Sequence, residues 1–94
     1  MKRKIFWSEE AEIRIVEITN YLRTNWSDKS AEFFLNILED KISLLVFFPE
    51  MCESSPTKKG IRRCVITKHI SLLYGFNKKE LHIFTLIDNR QEND

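Results

Sequence analysis

Between Ser8 and Pro49 apolar residues return every three or four positions, and after Gly60 they fall into short dense blocks, so the chain changes period near its middle. Ala11, Ile15, Ile18 and Leu22 mark one face of a first helix. Ser8 is suited to cap it, and Glu9 and Glu10 sit at the positive end of its dipole. Asn25 can end this helix and Ser27 can cap the next, with Asp28 in its first turn. Ala31, Phe34, Leu35, Leu38, Ile42 and Leu45 form a second, wider stripe. It must stop before Pro49, because the residue preceding a proline is pushed out of the α region. The short connection predicts an antiparallel helical hairpin. Ahead of it, Lys2 to Trp7 is short and compatible with a strand.

The segment Pro49 to Gly60, with Ser54, Ser55 and Pro56, reads as the longest irregular stretch. Ile61 to Thr67, Ile70 to Phe76 and Leu81 to Ile87 are strand-length runs rich in branched and aromatic residues. The links Lys68-His69 and Asn77 to Glu80 are hairpin-sized, so the three strands are expected to pair antiparallel in sequence order. The fold class that follows is α+β, in the order β-α-α-β-β-β, with the helical hairpin packed on one face of a largely antiparallel sheet. Strict alternation on the last strand puts Leu81, Ile83, Thr85 and Ile87 on one face and His82, Phe84, Leu86 and Asp88 on the other. Both faces are then apolar, and the helices can cover only one. Phe84 and Leu86, or their opposite numbers, want a second cover, for which a protein partner is the natural candidate.

Composition narrows the class. Ninety-four residues are expected to make a single domain over 1–94, and 43% hydrophobic with 31% charged residues is ordinary for a globular chain. No apolar run approaches the roughly 20 residues of a membrane span. The start, MKRKIFWSEE, reaches acidic residues before a signal-peptide core could form, which predicts a cytoplasmic protein. Cys52 and Cys64 form no CxxC and lie near no histidine cluster, so they are expected to remain thiols, Cys64 in the core. The net charge of +1 hides a division. Residues 1–57 carry seven Lys/Arg against ten Asp/Glu, whereas 58–94 carry eight against four. Within the second half, KKGIRRCVITKH concentrates Lys58, Lys59, Arg62, Arg63, Lys68 and His69.

That basic run admits three readings: a charged edge that discourages strand addition, contact with phosphate or RNA, or pairing with an acidic protein. On one strand Arg62, Cys64, Ile66 and Lys68 share a face while Arg63, Val65 and Thr67 share the other, so the two arginines point oppositely. His69, in a turn, and His82, beside Phe84, have a pKa suited to proton transfer but no evident partner. Ser-His-Asp spacing and metal-ligand clusters are absent, and two glycines in all leave no room for a phosphate-binding loop. Near the end two readings stand for Arg90: a loose tail residue, or one in a site where Asp88 orients Arg90 or an incoming partner.

Five segments in order complete the pattern: a first strand ending in Trp7-Ser8, the helices AEIRIVEITNYLRTNW and SAEFFLNILEDKISLLVFFPE, then KKGIRRCVITKHISLLYGF, and finally LIDNRQ. Together they resemble the RelE/ParE superfamily of bacterial type II toxins, also called plasmid-stabilisation proteins. The likeness spans essentially the whole chain and rests on the order of the segments rather than on one motif. It implies a toxin held by a cognate antitoxin in a hetero-oligomer, with no cofactor or metal, and a concave surface lined by the basic strand and Arg90. RelE-like members cleave mRNA in the ribosomal A site, using basic residues at the first long strand, an arginine after the last, and usually a C-terminal Tyr or His. On that branch Lys58, Arg62, Arg63 and Arg90 are the catalytic candidates. ParE-like members poison DNA gyrase without that set. Here Lys58, Lys59, Arg62, Arg63 and Arg90 match the basic positions, but Gln91-Glu92-Asn93-Asp94 supply neither Tyr nor His. A net charge of +1 also provides little long-range attraction to ribosomal phosphate. The expectation is therefore ParE-like growth inhibition through gyrase, with ribosome-dependent mRNA cleavage as the alternative and a non-toxic interaction module of the same fold as a second. Lys58, Lys59, Arg62, Arg63, His69 and Arg90 are the candidates for binding target or antitoxin.

Overall fold

The computed structural model describes residues 2–89. Strand β1 (Lys4–Trp7) leads into helices α1 (Glu9–Asn25) and α2 (Asp28–Leu45), a 3-10 turn at Pro49–Met51, and strands β2 (Glu53–Ser54), β3 (Arg62–Val65), β4 (Ile70–Phe76) and β5 (Glu80–Asp88). The strands form one sheet in the order β1-β5-β4-β3-β2, in which β1 runs parallel to β5 and every other pair is antiparallel. Two helices on a mostly antiparallel sheet is the expected fold class, enlarged by the two-residue β2 inside the segment read as irregular.

Both helices begin where the sequence indicates. Ser8 Oγ accepts from the Ala11 N–H at 2.9 Å, and Ser27 Oγ from the Ser30 N–H at 3.1 Å, each satisfying a donor that the first turn leaves orphaned. Helix α2 buries its stripe except for Leu35, which is partly buried: Ala31, Phe34, Leu38, Ile42 and Leu45 join Leu72, Tyr74, Leu81, Ile83 and Leu86 of the sheet in one core. Truncating a large side chain in such a core to Ala typically costs ~2–5 kcal/mol. Helix α1 lies more openly, with Ala11 and Thr19 buried and Ile15, Ile18 and Leu22 packed at the core's margin.

Strict alternation on β5 does not hold. Leu73 pairs with Thr85 but Tyr74 pairs with Ile83, so Phe84 is an extra residue, a β-bulge. The bulge shifts the phase: Leu81 and Ile83 point to the helices, and so does Leu86, which is fully buried. Thr85 and Ile87 accordingly lie on the other side of the sheet, away from the face expected for them. The first long strand is also shorter than expected, because the chain leaves the ladder after Val65 to turn through 66–69.

The cysteines correct a second expectation. Glu53 opposes Arg63, so one more step along the antiparallel ladder brings Cys52 opposite Cys64. The two form a disulfide with a Cα separation of 5.2 Å, and Cys64 is buried as anticipated. In sequence the pair is twelve residues apart. Closing a loop of about this size removes chain entropy worth on the order of 3 kcal/mol from the unfolded state.

β1 stops at Trp7, opposite Ile83, and beyond that point β5 has no strand on that side. Its carbonyls are met by α1 instead: Ser8 Oγ donates to the Phe84 carbonyl and Arg14 Nε donates to the Leu86 carbonyl at 3.0 Å. Arg14→Ala leaves the Leu86 carbonyl only the longer bond from Thr85 Oγ1, at 3.3 Å, and is expected to cost about 0.5–1.5 kcal/mol in urea denaturation. Arg23→Ala, whose exposed pair with Asp28 spans 3.9 Å, should cost less than about 0.5 kcal/mol.

On the neighbouring strand the buried Tyr74 hydroxyl donates to the Pro49 carbonyl at 2.6 Å, tying the segment after α2 to the sheet. Burial raises the phenol's pKa above 10.0, while the Arg62 charge and a hydrogen bond from the Cys52 backbone oppose the rise. The native state therefore keeps this proton to higher pH than the unfolded chain. Its contribution is whole below about pH 10 and is lost as pH climbs through the folded pKa. Tyr74→Phe is expected to lose about 1 kcal/mol at neutral pH and to abolish this part of the alkaline destabilisation, measured as urea midpoints from neutral to alkaline pH.

Candidate functional site

Because side chains alternate across a strand, the residues of β1, β5, β4 and β3 that do not face the helices form an open face. Lys4, Phe6, Glu80 and His82 lie at its β1 end, Phe84 beside Gly75 in the middle, and Leu73, Thr85, Ser71, Ile87, Arg63 and Val65 toward β3. At the far end Arg63 is exposed, and its guanidinium donates to Asn89 Oδ1. The same oxygen accepts from Ser71 Oγ at 3.2 Å, and Ser71 is fully buried. Asn89 thus orients a cation at the point where the chain leaves β5. A guanidinium held this way offers planar, charge-assisted hydrogen bonding to phosphate or carboxylate.

The sequence candidates do not converge on one spot. Arg62 projects to the helix side, as the alternation indicated, and is spent on the fold: Nη1 donates to the carbonyls of Glu50 at 3.3 Å and Cys52 at 2.7 Å, and the guanidinium lies 5.7 Å from the centre of the Phe76 ring. Lys58 and Lys59 sit in an exposed turn braced by Ser55, whose Oγ accepts from the Thr57 and Lys58 N–H groups. Gly60 completes that turn at φ 82°, a conformation a side chain would strain. His69 occupies the tip of the β3–β4 hairpin, and its carbonyl accepts from the Asn89 N–H at 2.6 Å. His82 lies 3.0 Å from Glu80 Oε1 at the opposite end of the open face. Hydrogen bonds from His82 first, and from Asn77, hold the Glu80 carboxyl below its usual pKa. Arg90 lies outside the described residues.

A second surface was not anticipated. The end of α1, the start of α2 and the β3–β4 hairpin enclose a groove of about 850 Å³. Ile18, Leu22, Phe34 and Ile70 supply its core-facing part, while Tyr21, Trp26 and Phe33 are 49%, 73% and 65% exposed. Arg14, Glu17, His69 and Asp88 add charge or polarity. The available signal was EFFLN: of two adjacent phenylalanines on one helix only Phe34 can join the core stripe, which leaves Phe33 at its margin.

The family described as "ParE toxin of type II toxin-antitoxin system, parDE" matches residues 5–93. The chain belongs to this ParE toxin family. No curated protein sequence matches it. Among solved structures, it resembles the chromosomal ParDE toxin-antitoxin system from P. aeruginosa with a TM-score of 0.77 at 13% identity, over 93% of this chain and 96% of that one. It also resembles the E. coli DinJ-YafQ toxin-antitoxin complex, with a TM-score of 0.66 at 16% identity over 97% of each chain. A copper-bound mutant toxin from Helicobacter pylori gives 0.61 at 19% identity, over 97% and 98%. At such identities the likeness establishes a common fold. The ParE-family chain keeps that fold with the Arg63–Asn89–Ser71 cluster on one side of the sheet and the aromatic groove on the other.

Stability separates the members of the cluster. Asn89→Ala deprives the buried Ser71 hydroxyl of its acceptor and is expected to cost about 1–3 kcal/mol. Arg63→Ala, at an exposed position, should cost less than about 0.5 kcal/mol. Urea denaturation of the two variants checks the contrast.

Proposed function

We propose that this ParE-family toxin arrests growth by engaging DNA gyrase and is silenced by an antitoxin segment seated in the aromatic groove. The observation that carries the gyrase reading is the separation of cation from proton carrier. Cleavage of RNA requires a group able to move protons within hydrogen-bond reach of the reacting atoms, beside the cations that stabilise developing charge. Here Arg63 is held by Asn89, whose Oδ1 also accepts from Ser71, whereas His82 is paired with Glu80 at the other end of the open face and His69 lines the groove. A binding poison needs no such pairing, and a fixed guanidinium beside the exposed Val65 suits a protein surface carrying carboxylates.

The ribonuclease reading retains one observation of its own: Lys58, Lys59 and Arg63 all lie exposed, where a phosphate backbone can reach them. The antitoxin reading is supported by the pairing of toxin with antitoxin in the P. aeruginosa and E. coli structures and by the exposure of Trp26 and Phe33, residues of the kind that anchor interfaces. An antitoxin segment that folds on binding is suited to such a groove.

Purified protein inhibits gyrase supercoiling and leaves a translation extract active if gyrase is the target; the reverse result establishes the ribonuclease, and inactivity in both leaves an interaction module. In cells, induction produces filamentation and a DNA-damage response without breaks in translated transcripts. Arg63→Ala is expected to weaken inhibition about ten-fold or more with its stability preserved, since a charged hydrogen bond is worth about 1.5–3 kcal/mol. Trp26→Ala with Phe33→Ala leaves inhibition intact but weakens rescue by the antitoxin encoded beside the toxin.

A further inference from the structure

The turn that carries Lys58 and Lys59 hangs from the outermost strand of the sheet. β2 is two residues long and pairs with β3 on its inner side. From Ser55 to Ile61 the chain is braced by its own turn, the Ser55 N–H donating to the Ile61 carbonyl at 2.7 Å and the Ile61 N–H to the Lys58 carbonyl at 3.3 Å. It touches the sheet at Gly75, where a Cβ would come within 2.9 Å of the Gly60 carbonyl oxygen and of the Phe84 ring. Such a flap is held only as firmly as β2 is. The Cys52–Cys64 bond, one step beyond the two-residue ladder, is what fastens that strand covalently.

Three features suit this bond to being broken and remade in the folded protein. Access is unequal, because Cys52 is half-buried while Cys64 is 2% exposed, so an incoming thiolate meets the Cys52 sulfur. Arg62, donating to the Cys52 carbonyl at 2.7 Å, sets a positive charge beside that residue, and partly exposed, electropositive surroundings are those of reactive thiols. Reduction also spares the core: as a thiol, Cys64 is a small apolar side chain already in place. The chain ahead of β2 keeps the Tyr74 bond to Pro49 and the Arg62 bonds to Glu50 and Cys52. What is lost is the covalent closure across a two-residue ladder. Either target considered above lies inside the cell, where disulfides are rare and usually transient or redox-sensing.

We infer that Cys52 and Cys64 form a reversible dithiol–disulfide switch that sets the freedom of the Lys58–Lys59 turn. In the reducing direction a thiolate of a dithiol reductant bonds to Cys52 Sγ, the bond to Cys64 breaks, and Cys64 leaves as a thiolate that takes up a proton. The reductant's second thiol loses its proton and bonds to the first sulfur, releasing Cys52, which is protonated in turn. Two electrons pass to the protein and the reductant ends as a disulfide. A disulfide oxidant reverses the exchange. Oxidised, β2 is pinned and the turn rests on Gly75; reduced, β2 detaches and the turn swings free. Arg63 lies opposite Glu53 and next to Cys64, so the switch also bears on the guanidinium proposed for the target. That consequence rests on the gyrase reading, and release of the turn does not.

Limited trypsin digestion of protein equilibrated with dithiothreitol or with oxidised glutathione tests the switch, the thiol state being read by maleimide labelling and mass spectrometry. Cleavage after Lys58 and Lys59 is expected to be about ten-fold or more faster in the reduced protein, through local opening, with cleavage after Lys78 in the β4–β5 turn unchanged. Cys52→Ser, at a half-buried position where a hydroxyl reaches solvent, is expected to be cut at the fast rate under both conditions. Reoxidation of the unaltered protein restores slow cleavage. Two labelled thiols after glutathione treatment, equal cleavage in the two states, or fast cleavage that persists after reoxidation would each overturn the switch. So would a matching rise in cleavage after Lys78, which would make the disulfide a staple for the whole fold. With no reductant present, the oxidised protein is expected to inhibit supercoiling several-fold more strongly than Cys52→Ser, because a fixed guanidinium is already oriented for its partner. Equal inhibition would overturn the link to the target, and an oxidised protein without effect would overturn the gyrase reading alone, since the digestion decides on the switch in either case.

Discussion

The structure depends on β5 having neighbours on both sides while one neighbour is shorter than β5 itself. β4 accompanies it from Phe76 back to Ile70, but β1 pairs with only its first four residues. From Phe84 onward one edge of β5 has lost its ladder, and an unpaired backbone group inside a domain is costly. The solution is α1, which starts at that point: Ser8 continues the pairing by donating its N–H to the Ile83 carbonyl, and the Ser8 and Arg14 side chains take the next free carbonyls. The helix is thereby fixed to the sheet by hydrogen bonds as well as by packing. This agrees with its modest burial: α1 needs fewer deeply buried side chains than α2 because the strand edge also holds it.

The bulge at Phe84 follows from the same geometry and divides the molecule's surfaces. Without the extra residue, Leu86 would face away from the helices and Thr85 toward them. With it, Leu86 completes the core and Phe84 is released to the open face, where Gly75 makes room for its ring. A second set of constraints positions the basic turn. Tyr74 grips Pro49, Arg62 grips Glu50 and Cys52, and the disulfide joins Cys52 to Cys64, so the chain entering the turn is held at three successive points. One arginine of the adjacent pair is consumed in building this support and the other is left on the surface.

How much of this was legible follows from the range of each interaction. Helix limits depend on neighbours in sequence, so Ser8, Ser27 and Pro49 marked them to within a few residues, and the α2 stripe named its own buried face. The opposite aims of Arg62 and Arg63 followed from alternation alone. What escaped depends on partners distant in sequence. The bulge is decided by the pairing of Tyr74 with Ile83, and no local signal in LHIFTLID marks it. The β2–β3 pairing that brings the cysteines together lies across a loop whose composition reads as irregular. Nothing local marks Asn89; its role depends on Arg63 and Ser71, 26 and 18 positions away, which share its oxygen.

The groove and the Arg63 end of the open face are two sides of one strand terminus. Asn89 connects them, its backbone N–H donating to the His69 carbonyl at the groove's hairpin while its side chain holds Arg63 on the far side. Thr67, His69, Ile70 and Asp88 line the groove, and Val65, Ser71 and Ile87, interleaved with them in sequence, belong to the open face. A segment seated among Tyr21, Trp26 and Phe33, as proposed for the antitoxin, would lie against the hairpin that holds Asn89 without having to cover the exposed guanidinium. The groove proposed for the antitoxin and the arginine proposed for the target share a single asparagine. The chemistry of the basic run is thus governed less by its own charge than by how β4 and β5 hold their ends together.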